Sequence, residues 1–399
     1  MLVIGAGVVG IATAYALARR GLGVTIVDRA TGPASGTSFA NGAQLSYAYT
    51  DALASPGMLR SLPQLLLAAE PAFRLRPSFD PDFFRWGLGF LRNCTRLRFR
   101  GNTLAGLQLG LESRAAMHAL LERHPIDFGH WVSGKLHLLE GRDALDGARS
   151  TVAMKREAGI AQDIVDPNEA IRLEPALASR SGTIVGAVYS PEEEVGDPYR
   201  FCTALLGELR THYGVTTRFG SPVQSLAWSN GRAVAEMPGG ERIEARAIAV
   251  CTGVETPAFL KGSGIRVPIW PMKGYSFTAP PGRATPRISV TDVRRKVVFC
   301  NLSGQMRVAG LADLGNRDAA VNARRLGALI ESARAALSLA ADYDHIEFAW
   351  SGLRPMTPNS LPVIRRERGG VVLNVGHGAL GWTYAMGAGE RVAALVAGN

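Results

Sequence analysis

The first ten residues constrain this chain most. Leu2, Val3 and Ile4 form a short apolar run that reads as a buried strand, and Gly5, Gly7 and Gly10 follow in the spacing G-x-G-x-x-G. Such a turn needs its first glycine for a sharp change of direction, its second so that backbone can approach a pyrophosphate, and its third so that the helix can pack on the strand. The phosphates then sit at the helix N-terminus, where unpaired N–H groups and the helix dipole favour an anion. The continuation fits this reading. A helix is expected over residues 8–20, a second strand over 24–27, and the strand ends at Asp28, an acid able to bind a ribose. Strand, glycines, helix, strand and acid in this order predict a dinucleotide site, with Val8, Val9 and Arg29 beside its key residues.

With 399 residues, 47% of them hydrophobic, the chain can bury a large core and divide into two domains of ordinary size. The first strand is expected to begin at Leu2, and no signal peptide is expected before it. No apolar run reaches the length of a membrane span, so a cytoplasmic location is expected. Cys94, Cys202, Cys251 and Cys300 lie far apart with no C-x-x-C pair, which argues against a disulfide framework, a zinc site or a redox dithiol. The seven histidines are equally scattered, and no metal is expected. The net charge of +10 is carried by arginine, since Lys135, Lys155, Lys261, Lys273 and Lys296 are the only lysines. A basic surface attracts anions, but no nucleic-acid-binding motif accompanies it, and no nucleic-acid partner is expected.

Beyond Asp28, a segment containing Gly32, Pro33, Ser35, Gly36, Thr37 and Ser38 is a loop by composition. Residues 58–123 carry a helical pattern interrupted by Pro63, Pro71, Pro77 and Pro81, which reads as a helical insertion. A strand at 135–139 and a helix over 143–158 follow. Asp197 and Pro198 open a helix that runs to Tyr213, before strands at 215–219, 223–228 and 233–237, the last two around the turn Asn230-Gly231. Residues 243–250 read as a strand ending in Cys251, Thr252 and Gly253, a junction suited to backbone passing a nucleotide. Residues 265–309 and 345–351 are β-rich around a helix at 319–339, and predict a second sheet. The chain then returns to its opening pattern, with a strand at 371–375, the turn Gly376-His377-Gly378 and a helix over 384–396.

Five stretches, IGAGVVG, TSFANGAQLS, WPMKGYSF, SGLRPMTPNSLPVI and NVGHGALGWTYAMGAGE, closely resemble the bacterial D-amino-acid dehydrogenases, FAD enzymes of a broad group that includes glycine oxidase. The resemblance covers nearly the whole chain. It implies an α/β fold: a Rossmann-like FAD-binding domain with a discontinuous second α+β substrate domain, as in glycine oxidase. The nucleotide domain is expected over 1–80, 180–262 and 352–399, and the substrate domain over 81–179 and 263–351. One departure stands out, because Gly42-Ala43 occupies a place where Ala-Gly is expected. FAD also has a physical argument over NAD, since a long flavin dinucleotide must be held at both ends and the terminal GHGALGWT can hold the second. By resemblance, Asp28 binds the adenosine ribose, Thr37 and Ser38 approach the pyrophosphate, and Asn41, Gly42, Gln44 and Leu45 lie near the isoalloxazine. Val223 meets adenine through its backbone, while Thr252 and Gly253 pass beside the nucleotide. Gly378, Leu380, Gly381, Trp382 and Thr383 close the other end, where a helix start near Thr383 would stabilise the negative charge of reduced flavin.

An amino-acid dehydrogenase must fix its substrate so that the Cα–H points at the flavin. Arg354 in SGLRPMTP is the candidate clamp for the carboxylate, because guanidinium is a planar fork that stays charged. Tyr275 in MKGYSF either shares that carboxylate or is packed in the sheet. His377 either accepts the ammonium proton or orders its turn, and Trp382 walls the pocket or packs the core. The stretch PDFFRWGLGFLRNCTRLRFR joins Phe83, Phe84, Trp86, Phe90 and Leu91 to Arg92, Arg96, Arg98 and Arg100, and suits either a membrane surface or a buried helix with a solvated edge. The resemblance implies oxidation of a D-amino acid to an imine, hydrolysis to a 2-oxo acid and ammonia, and transfer of electrons to a quinone through peripheral contact at the cytoplasmic face of the inner membrane. A D-hydroxyproline or D-proline dehydrogenase, an oxygen-using amino-acid oxidase and, more remotely, a non-catalytic flavoprotein subunit are the alternatives.

Overall fold

The opening strand, Leu2–Ile4, lies near the middle of a six-stranded sheet. Thr25–Val27 and then Thr216–Arg218 flank it on one side, and Ile248–Val250, Val371–Val375 and Val363–Arg366 follow on the other. The first five strands in that row run parallel, and only Val363–Arg366 is antiparallel to its neighbour. Parallel strands covered on both faces must be apolar throughout, and LVI, IAV and VVLNV are buried along their whole length. The computed structural model describes residues 1–60 and 72–398.

Two helices cover one face of this sheet. Val8–Ala18 and Gly381–Ala397 approach closely because their contact is made of small residues; a Cβ on Gly389 would lie 2.7 Å from the Ala12 carbonyl oxygen. The two glycine turns at opposite ends of the sequence therefore open onto the same edge of one sheet. Residues 243–250, expected as one strand, are two. Arg242–Glu244 joins a small antiparallel sheet with Ser225–Ser229 and Arg232–Glu236, while Ile248–Val250 enters the parallel sheet. The final helix starts at Gly381, three residues before its expected beginning, after a short 3-10 turn at Gly378–Leu380.

The second sheet has nine strands. From one edge they are Phe348–Met356, Trp270–Ala279, Gln305–Leu314, Val297–Leu302, Ser289–Asp292, Lys135–Leu139, Gly186–Ser190 and Asp163–Val165, with Phe73–Leu75 pairing beside Ala312–Leu314. Gly186–Ser190 thus belongs to this sheet although it falls after the expected boundary at 180. One face is packed by the helix Ala323–Ala336 through Leu329 and Ala333, and the other faces the six-stranded sheet. The expected helical insertion contains Pro81–Asn93 and Arg96–Arg123, while residues 61–71 of that expectation lie outside the described residues.

Candidate active site

A cavity of about 860 Å³ lies between the two large sheets and takes residues from both. At its nucleotide end, Gly5 has φ +106°, and a Cβ there would come 2.5 Å from the Cys251 carbonyl oxygen. Gly10 does not line the cavity; a Cβ on it would collide with the Gly5 carbonyl oxygen at 1.8 Å, so its role is helix packing. Gly7 differs, because the one atom a Cβ would meet is Ser38 Oγ at 3.4 Å, and its backbone otherwise faces the cavity. Ser38 Oγ accepts the Val8 N–H at 3.1 Å and ties the TSFAN loop to the start of the helix. Asp28 is held rigidly, its Oδ2 accepting from Ala6 N at 2.6 Å and its Oδ1 from Ala30 N at 2.8 Å. Val9, Arg29, Thr37, Val223, Thr252 and Gly253 share the cavity wall with it.

At the opposite end, Gly378, Leu380, Gly381 and Trp382 line the cavity, and no side chain caps the helix that starts there. Its first N–H groups are available to an anion or a partial negative charge. Thr383 lies inside the first turn and off the cavity, where its Oγ1 accepts from Ser46 N at 3.0 Å. Trp382 touches the cavity, but its ring packs on Phe201 at 4.8 Å between centroids and its indole N–H donates to the Gly196 carbonyl at 3.1 Å. It stands in both expected places, at the cavity wall and in the core. Leu45 is likewise in the core, with Tyr47 and Phe128. Asn41, Gly42 and Gln44 do line the cavity, and Gly42-Ala43 explains the loop's path. Ala43 sits at φ +57°, the left-handed region that favours glycine, with its N–H on Asn41 Oδ1 at 2.8 Å. The left-handed position of this turn falls on an alanine.

An extended dinucleotide fits these features: two helix starts at the two ends, a glycine backbone open to the cavity, and a fixed carboxylate beyond the second parallel strand. FAD would be held by Gly7, Val8, Asp28, Ser38 and Val223 at its adenosine and phosphate end and by Asn41–Gln44 and Gly378–Gly381 at its ring end.

Arg354 stands on the edge strand Phe348–Met356, opposite Met272. Its guanidinium lies against Gly274, where a Cβ would come 2.3 Å from Nη2; the glycine of MKGYSF makes room for the arginine of LRPM. Nη1 donates to the Leu311 carbonyl at 3.1 Å, and no carboxylate pairs with Arg354 among the described residues. Burial pushes its pKa down to about 10, only partly offset by Asp313, so it remains charged at neutral pH. Leu53, Phe73, Met272 and Ala312 are among the apolar residues of the cavity wall.

Tyr275 lines the same cavity as Arg354, but its hydroxyl is turned to Asp313 rather than to this clamp. Directly opposed residues of an antiparallel pair share a face, and successive residues alternate. Met272 therefore shares a face with Arg354, and Tyr275, three residues on, projects to the other. Its ring is in the apolar cluster with Phe277 and Leu329, and its hydroxyl donates to Asp313 Oδ2 at 3.4 Å. His377 lines the cavity, but burial pushes its pKa down to about 3 and Nε2 has no protein partner. An imidazole so weakly basic does not hold a proton taken from an ammonium group; the backbone of His377 orders the turn, its carbonyl accepting from Leu380 N at 3.2 Å.

Lys135, which sequence reasoning did not single out, also lines the cavity and is almost fully buried. Its Nζ donates to Gln44 Oε1 at 2.8 Å and Ser46 Oγ at 2.6 Å, and its pKa is lowered to about 8 by burial, against the opposing pull of Glu193. Alternation along KLHLL was the available signal, but it assigns Lys135 to a face without saying what that face meets.

Comparison with known proteins supplies the family. Residues 1–395 match the DAO family, described as FAD dependent oxidoreductase. The chain belongs to this family. It is 41% identical over 99% of its length, and 96% of the relative's, to D-amino acid dehydrogenase 2 of Ralstonia nicotianae, and 36% identical to D-amino acid dehydrogenase of Paramagnetospirillum magneticum, covering 100% of the chain and 95% of that relative. Among solved structures, glycine oxidase from Geobacillus kaustophilus is similar in fold with a TM-score of 0.77 at 22% identity, over 100% of this chain and 94% of that one. As an FAD-dependent oxidoreductase the protein uses the cofactor that the two glycine turns are shaped to hold, and passes electrons from a small molecule to an acceptor.

Proposed function

We propose that this protein oxidises D-amino acids at Cα, giving an imine that water hydrolyses to a 2-oxo acid and ammonia. The observation that carries this reading is Arg354, a half-buried guanidinium in the cavity wall whose protein partner is a backbone carbonyl rather than a carboxylate. A substrate carboxylate completes it with a bidentate, charge-assisted pair. When bound, FAD supplies the acceptor for the Cα hydrogen and its electron pair. The residues around it do the rest by position. Arg354 fixes the carboxylate, Met272 and Phe73 exclude water beside it, and the apolar wall receives the side chain of one enantiomer only. The names of the relatives support D rather than L. His377 takes no proton in this scheme, so the substrate amine loses its proton to water or arrives neutral.

The test is anaerobic mixing of the FAD-loaded protein with a panel of D- and L-amino acids while flavin absorbance is followed. D-amino acids are expected to bleach the flavin and their L-enantiomers are not. Bleaching by L-enantiomers at a comparable rate, or by neither, overturns the reading.

The acceptor we infer is a membrane quinone, reached from the cytoplasmic face. No helix among the described residues is long and apolar enough to cross a membrane. The support is a surface on Pro81–Asn93 and the first turn of Arg96–Arg123, where Phe84, Leu88, Leu91 and Leu97 are exposed among the exposed Arg85, Arg92, Arg96 and Arg98. Of the aromatic residues expected there, Trp86 and Phe90 are in the core instead, stacked at 5.2 Å, with the Trp86 indole donating to the Met356 carbonyl. Apolar side chains ringed by arginine suit the boundary of an anionic bilayer. Co-sedimentation with vesicles containing anionic lipid should fall strongly in a Phe84→Ser/Leu91→Ser variant; unchanged binding removes this surface from the account.

A further inference from the structure

Far from the cavity wall, three side chains converge that the sequence keeps apart. Glu208 and His212 are one turn apart on the helix Pro198–Tyr213, and His124 caps the C-terminal end of Arg96–Arg123. Glu208 Oε2 lies 3.0 Å from His124 Nδ1 and 3.3 Å from His212 Nε2. One donor atom from each residue falls within 4.8 Å of the other two. We propose that His124, Glu208 and His212 form a site for a divalent transition-metal ion, zinc above all, with water completing its coordination.

Three features carry this. The first is spacing: two ligands about 2.05 Å from a tetrahedral zinc are about 3.3 Å apart, close to the 3.0 and 3.3 Å between Glu208 Oε2 and the two imidazole nitrogens. The second is ligand type, since two imidazoles and one carboxylate suit zinc, and the i,i+4 pair on one helix presents both donors on one side. The third lies behind the ligands. His124 Nε2 is 2.8 Å from Tyr213 Oη, an outer partner that fixes the ring's orientation and directs Nδ1 toward Glu208. The cluster His118, His130 and Glu194 makes a useful contrast. There the two rings bond to different oxygens of one carboxylate, which is itself buried and also accepts from Tyr47.

The ion would join the end of one long helix to another. Both pack on Tyr15, whose ring meets His124 at 6.2 Å and Tyr213 at 5.9 Å, so the site clamps the core behind the dinucleotide-binding helix. Its expected effect is stability, with no part in the chemistry.

Isothermal titration of tag-free, FAD-loaded protein with zinc chloride, joined to elemental analysis after gel filtration, tests it. One retained zinc per chain and a raised melting temperature are expected. Binding should weaken more than tenfold in Glu208→Gln, vanish in His124→Gln/His212→Gln, weaken about tenfold in Tyr213→Phe, and persist in His118→Gln. All of these positions are partly exposed, so the variants should fold, which bound flavin and melting curves without zinc would verify. Absence of zinc binding, or binding undiminished in the double variant, overturns the proposal.

Discussion

Each face of the nine-stranded sheet withdraws an arginine from water, Arg325 fully and Arg354 in part, and the two are solved differently. On the face toward Ala323–Ala336, Arg325 meets Asp313 through Nη2 at 2.6 Å and Nε at 3.2 Å, and Tyr275 adds its hydroxyl to the same carboxylate. On the face toward the cavity, Arg354 has a backbone carbonyl and no acidic partner among the described residues. A guanidinium already matched by a carboxylate is part of the scaffold. One buried without such a match is held ready for an acid that arrives from outside. The comparison teaches that burial and charge do not by themselves mark a binding residue; the missing counterion does.

Breaking the scaffold pair should have the larger effect on folding. Asp313→Ala removes the carboxylate from Arg325 deep in the core and is expected to destabilise by about 3–5 kcal/mol. A chemical-denaturation midpoint measures it, and a change within experimental error would mean that the two faces are not different in kind. Arg354→Leu should do the reverse, leaving the melting temperature nearly unchanged while lowering kcat/KM for D-amino acids about a hundredfold, as expected for losing a charge-assisted pair worth about 3 kcal/mol. Tyr275→Phe serves as its control and should alter kcat/KM less than about threefold, since it loses one long bond on the opposite face. An equal loss in both variants would return Tyr275 to the site.

Much of the nucleotide half was legible in the sequence because its requirements are local. A glycine at φ +106° and an acid ending the next strand are each dictated within a few residues. The terminal GHGALGWT was legible for the same reason. The site on the larger sheet was less so. Arg354 was found through its motif, but whether Tyr275 stood beside it depended on counting strand alternation in the register Met272↔Arg354, and register is a long-range property. Lys135 and the His124, Glu208 and His212 cluster escaped for the same reason, as their neighbours come from remote strands and helices.

His377 sharpens the comparison through pH. Its folded pKa, about 3, is depressed from the ordinary 6.5 by burial. Between those values the unfolded chain binds more protons than the folded one, so stability rises with pH, is complete above about 6.5, and is lost as pH falls toward 3. The contribution approaches about 1.4 kcal/mol per pH unit in the middle of that window. His377→Asn should flatten the acid limb of a plot of melting temperature against pH. An unchanged slope between pH 6 and 4 would show that the ring is not the buried neutral group described.

The smallest effect is expected at Gly42-Ala43, where resemblance leads one to expect Ala-Gly. Ala43 holds φ +57° in a fully buried position beside Val195, Cys300 and Leu302, and a left-handed alanine costs about 1 kcal/mol relative to glycine. Ala43→Gly removes that strain, but it also removes a packed methyl and frees the unfolded chain, losses of about the same size. The two should cancel, leaving the melting temperature within about 2 °C. Gly42→Ala is the more demanding change, because its Cβ would stand 3.2 Å from Val298 Cγ2 and 3.4 Å from Ala309 Cβ in the cavity wall. Val298 can turn aside, so the double variant Gly42→Ala/Ala43→Gly, which restores the Ala-Gly order, should fold and keep FAD with a small change in flavin absorbance. Loss of FAD from the double variant, with Ala43→Gly alone retaining it, would show that the chain has built its cavity around the exchanged pair and that the loop's path is its own.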